Sequence, residues 1–123
     1  MVSITGCEVK IMYTKTAGVT LHLQDNVMRC VITGDIDHHS ARTVRTQIDE
    51  ALYLKRPLRL ELDLSRVEFM DSSGLGLILG RFSKATEIGA EFILLNPNEN
   101  ASRILDVAGI GRLIQIERRS ERT

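Results

Sequence analysis

Apolar and polar positions alternate over residues 19–24, VTLHLQ, and a β-rich run follows at 27–33, VMRCVIT, after the turn-forming pair Asp25-Asn26. That is the pattern of two strands in a hairpin. Gly34-Asp35-Ile36-Asp37 reads as a turn, and beyond it Ala41, Val44, Ile48 and Leu52 recur at helical spacing, predicting a helix over 39–54. Asp37 or Ser40 can cap its first amides, and Pro57 stands just past its end. In LRLELDL, residues 58–64, Leu58, Leu60, Leu62 and Leu64 point one way and Arg59, Glu61 and Asp63 the other, as in a half-buried strand. The period changes at Ser72. From there Leu75, Ile78, Leu79, Phe82 and Ala85 follow 3.6-residue spacing until Gly89 supplies a stop.

EFILL at 91–95 predicts a further strand, and NPNEN opens a helix carrying Ala101, Ile104, Leu105 and Ala108 on one face, closed by Gly109. RLIQI at 112–116 is the last predicted strand. The order β-β-α-β-α-β-α-β describes an α/β domain with a mixed, mostly parallel β-sheet, one antiparallel pair and right-handed crossovers. Because these strands alternate more than fully buried parallel strands do, the helices are expected to pack mainly on one face. Residues 1–18 lack a clear period and fit either an extra edge strand (VKIMYT) or a loose arm. The expected organisation is an N-terminal extension (1–18), one folded domain (19–117) and a polar tail (118–123).

Composition narrows the function. At 123 residues and 43% hydrophobic the chain is one domain with a real core, and 16 basic against 16 acidic side chains leave it formally neutral. No basic face for a phosphate backbone emerges: Arg118, Arg119 and Arg122 are diluted by Glu117 and Glu121, as in a solvated tail, so direct nucleic-acid binding is not expected. Cys7 and Cys30 form no CxxC motif, which fits a reduced, cytoplasmic protein. The N-terminus has no basic residue before Lys10 and no sustained apolar run, so neither a signal peptide nor a membrane span is expected. The adjacent pair His38-His39 diverges on a helix and has no i+4 partner, so no metal site is predicted. His22 reads as a solvent-facing strand residue, and Met12, Met28 and Met70 as packing residues.

The chemistry concentrates at Met70-Asp71-Ser72-Ser73-Gly74-Leu75-Gly76-Leu77-Ile78-Leu79-Gly80. Each of its three glycines costs a helix roughly 1 kcal/mol against alanine, so something besides propensity requires them: close backbone approach, either to the sheet beneath or to a partner above. A helix that starts directly after a strand offers free amides and positive dipole charge, where a phosphate on either serine would sit favourably. The residues by themselves favour the plainer reading, that Ser72 or Asp71 is simply an N-cap, since Ser and Asp lead the cap preferences. Enzyme motifs fail on spacing. Asp71 and Met70 stand where a nucleophile elbow needs glycine, no lysine follows in P-loop register, and Gly74, Gly76 and Gly80 miss the dinucleotide fingerprint by one residue.

The blocks T-G-D-I-D-H-H-S at 33–40 and E-F-M-D-S-S-G-L-G-L-I-L-G-R at 68–81 resemble the STAS domain family, and within it the anti-sigma factor antagonists of the stage II sporulation type. The resemblance runs from about residue 19 to 116. It implies a non-enzymatic, cofactor-free switch. The unphosphorylated protein binds an anti-sigma factor that is also a serine kinase, freeing a sigma factor to activate transcription; phosphorylation of one serine ends that binding, and a serine phosphatase restores it. The matching acceptor is Ser72, with Gly34, Asp35, Asp37, His38, Asp71, Ser73 and Gly74 on the partner-facing surface. A STAS module of another pathway, such as the general stress response, and an anion- or nucleotide-binding protein are the alternatives. Two departures from the family pattern, the extension at 1–18 and an ending at ERRSERT in place of a further C-terminal helix, leave the oligomeric state open.

Overall fold

The computed structural model describes residues 17–119 in full and the backbone of 2–4 and 7–13. Among the described residues seven strands form one sheet in strictly sequential order: β1 (Val2–Ile4), β2 (Cys7–Tyr13), β3 (Ala17–Gln24), β4 (Val27–Ile36), β5 (Arg59–Met70), β6 (Glu91–Leu95) and β7 (Gln115–Glu117). The pairings from β1 to β4 are antiparallel and those from β4 to β7 parallel, so the five strands from Ala17 onward are mostly parallel. Helices α1 (His38–Lys55), α2 (Ser72–Glu87) and α3 (Glu99–Val107) make the three parallel connections. Met12 and Cys7 lie on β2, but their side chains fall outside the described residues.

The elements form for the expected reasons. Asp25 and Asn26 both take positive φ, 54° and 64°, closing the β3–β4 hairpin as a two-residue turn that matches strand twist. Val44, Ile48 and Leu52 of α1, Leu77, Ile78 and Ala85 of α2, and Ala101 and Leu105 of α3 join Leu21, Met28, Cys30, Ile32, Leu60, Leu62, Leu64, Phe92 and Leu94 in a single core. All three helices therefore pack on one face. Arg81 of α2, buried, meets Asp49 of α1 at 2.8 Å and ties the two helices together.

The other face is closed by ion pairs instead of helices. Glu61 and Asp63, only 6% and 1% exposed, project there. Arg29 holds Asp63, and Arg59 and Arg119 hold Glu61 at 3.1 and 3.2 Å. A shallow groove of about 670 Å³ runs over this surface, lined among others by Thr20, His22, Arg29, Thr33 and Asp63. Arg118 and Arg119 are exposed yet anchored, Arg118 donating to Ser102 Oγ at 2.7 Å and the Arg119 amide to Asn96 Oδ1 at 2.6 Å.

The boundaries differ from the sequence expectation in three places. Gly34, Asp35 and Ile36 are not a turn but the end of β4, which Gly34 passes through with φ 89°. Leu58 precedes β5 and is 68% exposed, outside the leucine row it extends in sequence. Residues 110–112 form a single 3₁₀ turn, so the last strand starts at Gln115.

Beyond Val31 the β4–β5 ladder is irregular. From Val31 to Ile36 β4 advances five residues while β5 advances seven, from Asp63 to Met70, with register shifts between Val31 and Thr33 and between Gly34 and Asp35. Each shift is a bulge on β5, a feature that bends a strand and re-aims its side chains.

Candidate functional site

The carboxyl ends of β4, β5 and β6 lie together, and each is followed by a helix whose first turn is capped by a side chain. This end of an α/β sheet is where ligands and partners commonly dock. At α1, Asp37 is the N-cap. Its carboxylate accepts from the amides of His39 and Ser40, both at 2.9 Å, and the Asp37 amide donates to Ser40 Oγ at 3.0 Å, completing a capping box. Ser40 Oγ also donates to the Asp35 carbonyl at 2.9 Å, tying the cap to the strand. The amides of Ser40 and His39 hold the Asp37 carboxyl below its ordinary value.

At α2, Asp71 is the N-cap, its Oδ1 accepting from the Ser73 amide at 2.7 Å. Its own amide donates to the Ile36 carbonyl at 3.3 Å, which fixes the start of α2 beside the end of β4. Ser72 is the first helical residue, exposed, and its hydroxyl has no hydrogen-bond partner among the described residues. Of the two residues that could cap the helix, Asp71 does so, and Ser72 has no structural task. At α3, Asn98 accepts from the Ala101 amide at 2.8 Å.

The residues singled out in the sequence are thus brought to one end. Gly34 and Asp35 close β4, Asp37 and His38 open α1, and Asp71, Ser72 and Ser73 open α2 on the adjoining strand. Gly74 is different. It is buried, and a Cβ there would stand 2.9 Å from both Cβ and Sδ of Met70, so its glycine serves close approach to the sheet beneath. Gly76 and Gly80 have nothing within 4 Å of where a Cβ would be, and nothing in the fold requires them to be glycine. His38 and His39 are both exposed with ring centroids 5.7 Å apart, and no group of three potential metal ligands occurs among the described residues.

Three residues at this end went unremarked in the sequence. Phe69, paired in register with Asp35, is 49% exposed. Asn98 Nδ2 donates to the carbonyls of Val67 and Glu68 at 2.8 and 3.2 Å, and Asn100 Oδ1 accepts from the Met70 amide at 3.1 Å. The start of α3 therefore satisfies the outer edge of β5 where β6 has already ended. The sequence signal was the N-P-N-E-N run, which holds both side chains besides opening a helix.

The STAS domain model matches residues 19–122. The chain belongs to the STAS domain family. Among STAS relatives, the anti-sigma F factor antagonist of Paenibacillus polymyxa is 38% identical over 85 residues, 69% of this chain and 73% of that protein. The anti-sigma-B factor antagonist of Bacillus subtilis is 30% identical over 103 residues, 84% of this chain and 93% of that one. Among solved STAS structures, the unphosphorylated anti-sigma factor antagonist SpoIIAA superposes with a TM-score of 0.69 at 25% identity, covering 94% of this chain and 89% of the other. No helix among the described residues of this STAS domain is long and apolar enough to cross a membrane.

Proposed function

We propose that this STAS protein is a cytoplasmic anti-sigma factor antagonist. Unphosphorylated, it binds an anti-sigma factor that is also a serine kinase and so frees a sigma factor; phosphorylation of Ser72 ends the binding, and a serine phosphatase reverses it. The observation that carries this reading is the division of labour at the start of α2: Asp71 caps the helix, leaving the neighbouring Ser72 hydroxyl exposed and unengaged. A hydroxyl with no task in the fold is open to an enzyme that comes from outside.

The same geometry supports a charge switch acting outward. Phosphorylation adds about −1.5 to −2 charges. The Ser73 amide that could hold a phosphate is taken by Asp71, and the Gly74 amide donates to the Asp71 carbonyl at 3.0 Å. The new charge is left beside the Asp71 carboxylate, near Asp35 and Asp37, and projects from the surface. A partner surface that accepted a hydroxyl then meets a dianion in acidic company. Like-charge juxtaposition and lost desolvated contacts cost about several kcal/mol, enough to release a partner. The partner-facing surface in this reading comprises Gly34, Asp35, Asp37, His38, Asp71, Ser72 and Ser73.

The test is intact-mass spectrometry with site mapping after incubation with ATP and candidate anti-sigma kinases of the sigma F and sigma B types. One added phosphate at Ser72 is expected, with the efficient kinase identifying the pathway; modification elsewhere, or none with either kinase, refutes the reading. Ser72→Ala should bind the kinase and resist inactivation, and Ser72→Asp should bind poorly.

A further inference from the structure

An exposed phenylalanine on a β-strand beside a candidate modification site needs an explanation, because the first bulge turns Val67 into the core and pleating carried on from Val67 would bury Phe69 as well. Val67 and Met70 of β5 are both buried although three residues apart, and Glu68 and Phe69 between them are both exposed. The cause is the second bulge: Gly34 pairs with Val67 and Asp35 with Phe69, so Glu68 is the extra residue and Phe69 is turned out of the core row. The bulge is built rather than tolerated. Asn98 Nδ2 donates to the carbonyls of Val67 and Glu68, the two residues just before Phe69, and Asn100 Oδ1 accepts the amide of Met70, the residue just after it. Leaving a phenyl ring about half exposed gives up burial that would contribute about 1–2 kcal/mol to folding, so its position is not explained by the fold.

We propose that Phe69 is the apolar anchor by which the anti-sigma factor serine kinase docks on this protein. This rests on the reading of Ser72 as the phosphoacceptor. A kinase that reaches the Ser72 hydroxyl must cover its surroundings, and a specific interface of ordinary size covers about 800 Å² on each partner. Phe69 is three residues from Ser72 and opposite Asp35 in the β4–β5 ladder, so it falls inside any such footprint. Around it the surface is polar and charged, with Glu68, Asp35, Asp71, Ser72 and His38, the composition of an interface rim. Aromatic side chains ringed by polar groups carry a disproportionate share of binding energy, and the partner accordingly presents an apolar pocket flanked by basic or hydrogen-bond-donating groups. The other exposed large hydrophobics, among them Leu54, Leu58, Val107 and Leu113, lie near the end of α1, just after it, at the end of α3 and beyond it, and serve as controls.

The experiment uses the full chain and the anti-sigma factor kinase that phosphorylates the wild type. Affinity is measured by calorimetry without ATP, and steady-state phosphorylation of Ser72 is followed by mass spectrometry. Phe69→Ala should weaken binding at least tenfold and raise KM by a similar factor while kcat stays within twofold. Phe69→Leu should recover part of the loss, and Leu113→Ala should match the wild type. Thermal melts of each variant check folding; should Phe69→Ala melt early, Phe69→Gln takes its place. If the wild type binds and is phosphorylated at Ser72 but a folded Phe69 variant binds equally well, the anchor is refuted and the switch stands. If the wild type neither binds nor is modified, both fall.

Discussion

Replacing single glycines of α2 by alanine should move stability in opposite directions at Gly74 and Gly80. A Cβ at Gly74 would stand 2.9 Å from Cβ and Sδ of Met70 and 3.2 Å from its Cγ, inside contact distance. Met70 has little room to yield: it is fully buried, ends β5, and its amide is held by Asn100. Overpacking of this kind costs about 1–3 kcal/mol, and the helix propensity regained is at most about 1 kcal/mol, less within the first turn. Gly74→Ala should therefore lose about 1 kcal/mol. At Gly80 nothing lies within 4 Å, so alanine brings only the propensity gain of up to about 1 kcal/mol. For a domain of this size the two melting temperatures should straddle the wild type by about 3–5 °C on either side. Urea denaturation followed by circular dichroism, with the slope m unchanged, gives the free energies directly. Gly74→Ala as stable as the wild type, or Gly80→Ala clearly less stable, would show that the division between a buried and a free glycine is mistaken.

Three further outcomes follow from other parts of the fold. Burial pushes the Asp63 carboxyl up, but hydrogen bonds from Arg29 and Ser65 more than offset this and hold it below its ordinary value; its stabilisation is present above the unfolded pKa of about 3.9 and is lost as pH falls through the lower folded value. Arg29→Ala should cost about 2 kcal/mol near neutral pH, discounted because Arg29 is a third exposed, with a smaller penalty in acid, as measured by urea melts against pH. Asn98→Ala removes both the α3 cap and the support of the Val67 and Glu68 carbonyls, and should lower stability by about 1–2 kcal/mol and speed amide exchange at the start of α2. Cys30 is buried and burial pushes its thiol far above the ordinary range, so in a Cys7→Ser background thiol reagents should label the protein only on unfolding.

How much of this was legible in sequence depended on whether local pattern alone decided the outcome. The β3–β4 hairpin turn, the cap residues Asp37 and Ser40, and the change of period at Ser72 are local chemistry, and all are found where the pattern put them. The bulges on β5 are not local: they arise from a mismatch of two strands separated by a whole helix, so the burial of Val67, on the polar side of the Leu60-Leu62-Leu64 alternation, could not be foreseen, and Phe69 faces out again only because the second bulge reverses the first. Glu61 and Asp63 alternate as solvent-facing residues would, yet are buried, Asp63 against Arg29 of β4 and Glu61 against Arg119 from the far end of the chain and its own strand neighbour Arg59. Ser72 and Asp71 were indistinguishable as caps in sequence; the hydrogen bond to the Ser73 amide separates them.

That separation has a thermodynamic consequence for the switch. Each helix start at this end is capped by a side chain of its own, Asp37, Asp71 or Asn98, so the fold does not need the Ser72 hydroxyl, and the Ser73 amide beside it is already engaged. A carboxylate at position 72 gains about 0.3–1 kcal/mol from the positive end of the helix dipole and loses part of this to repulsion from the neighbouring Asp71. Ser72→Asp should consequently unfold within about 0.5 kcal/mol of the wild type while its affinity for the anti-sigma kinase collapses. A mutant destabilised by several kcal/mol would mean that the added charge acts by loosening α2, and an interface-borne switch would have to be given up.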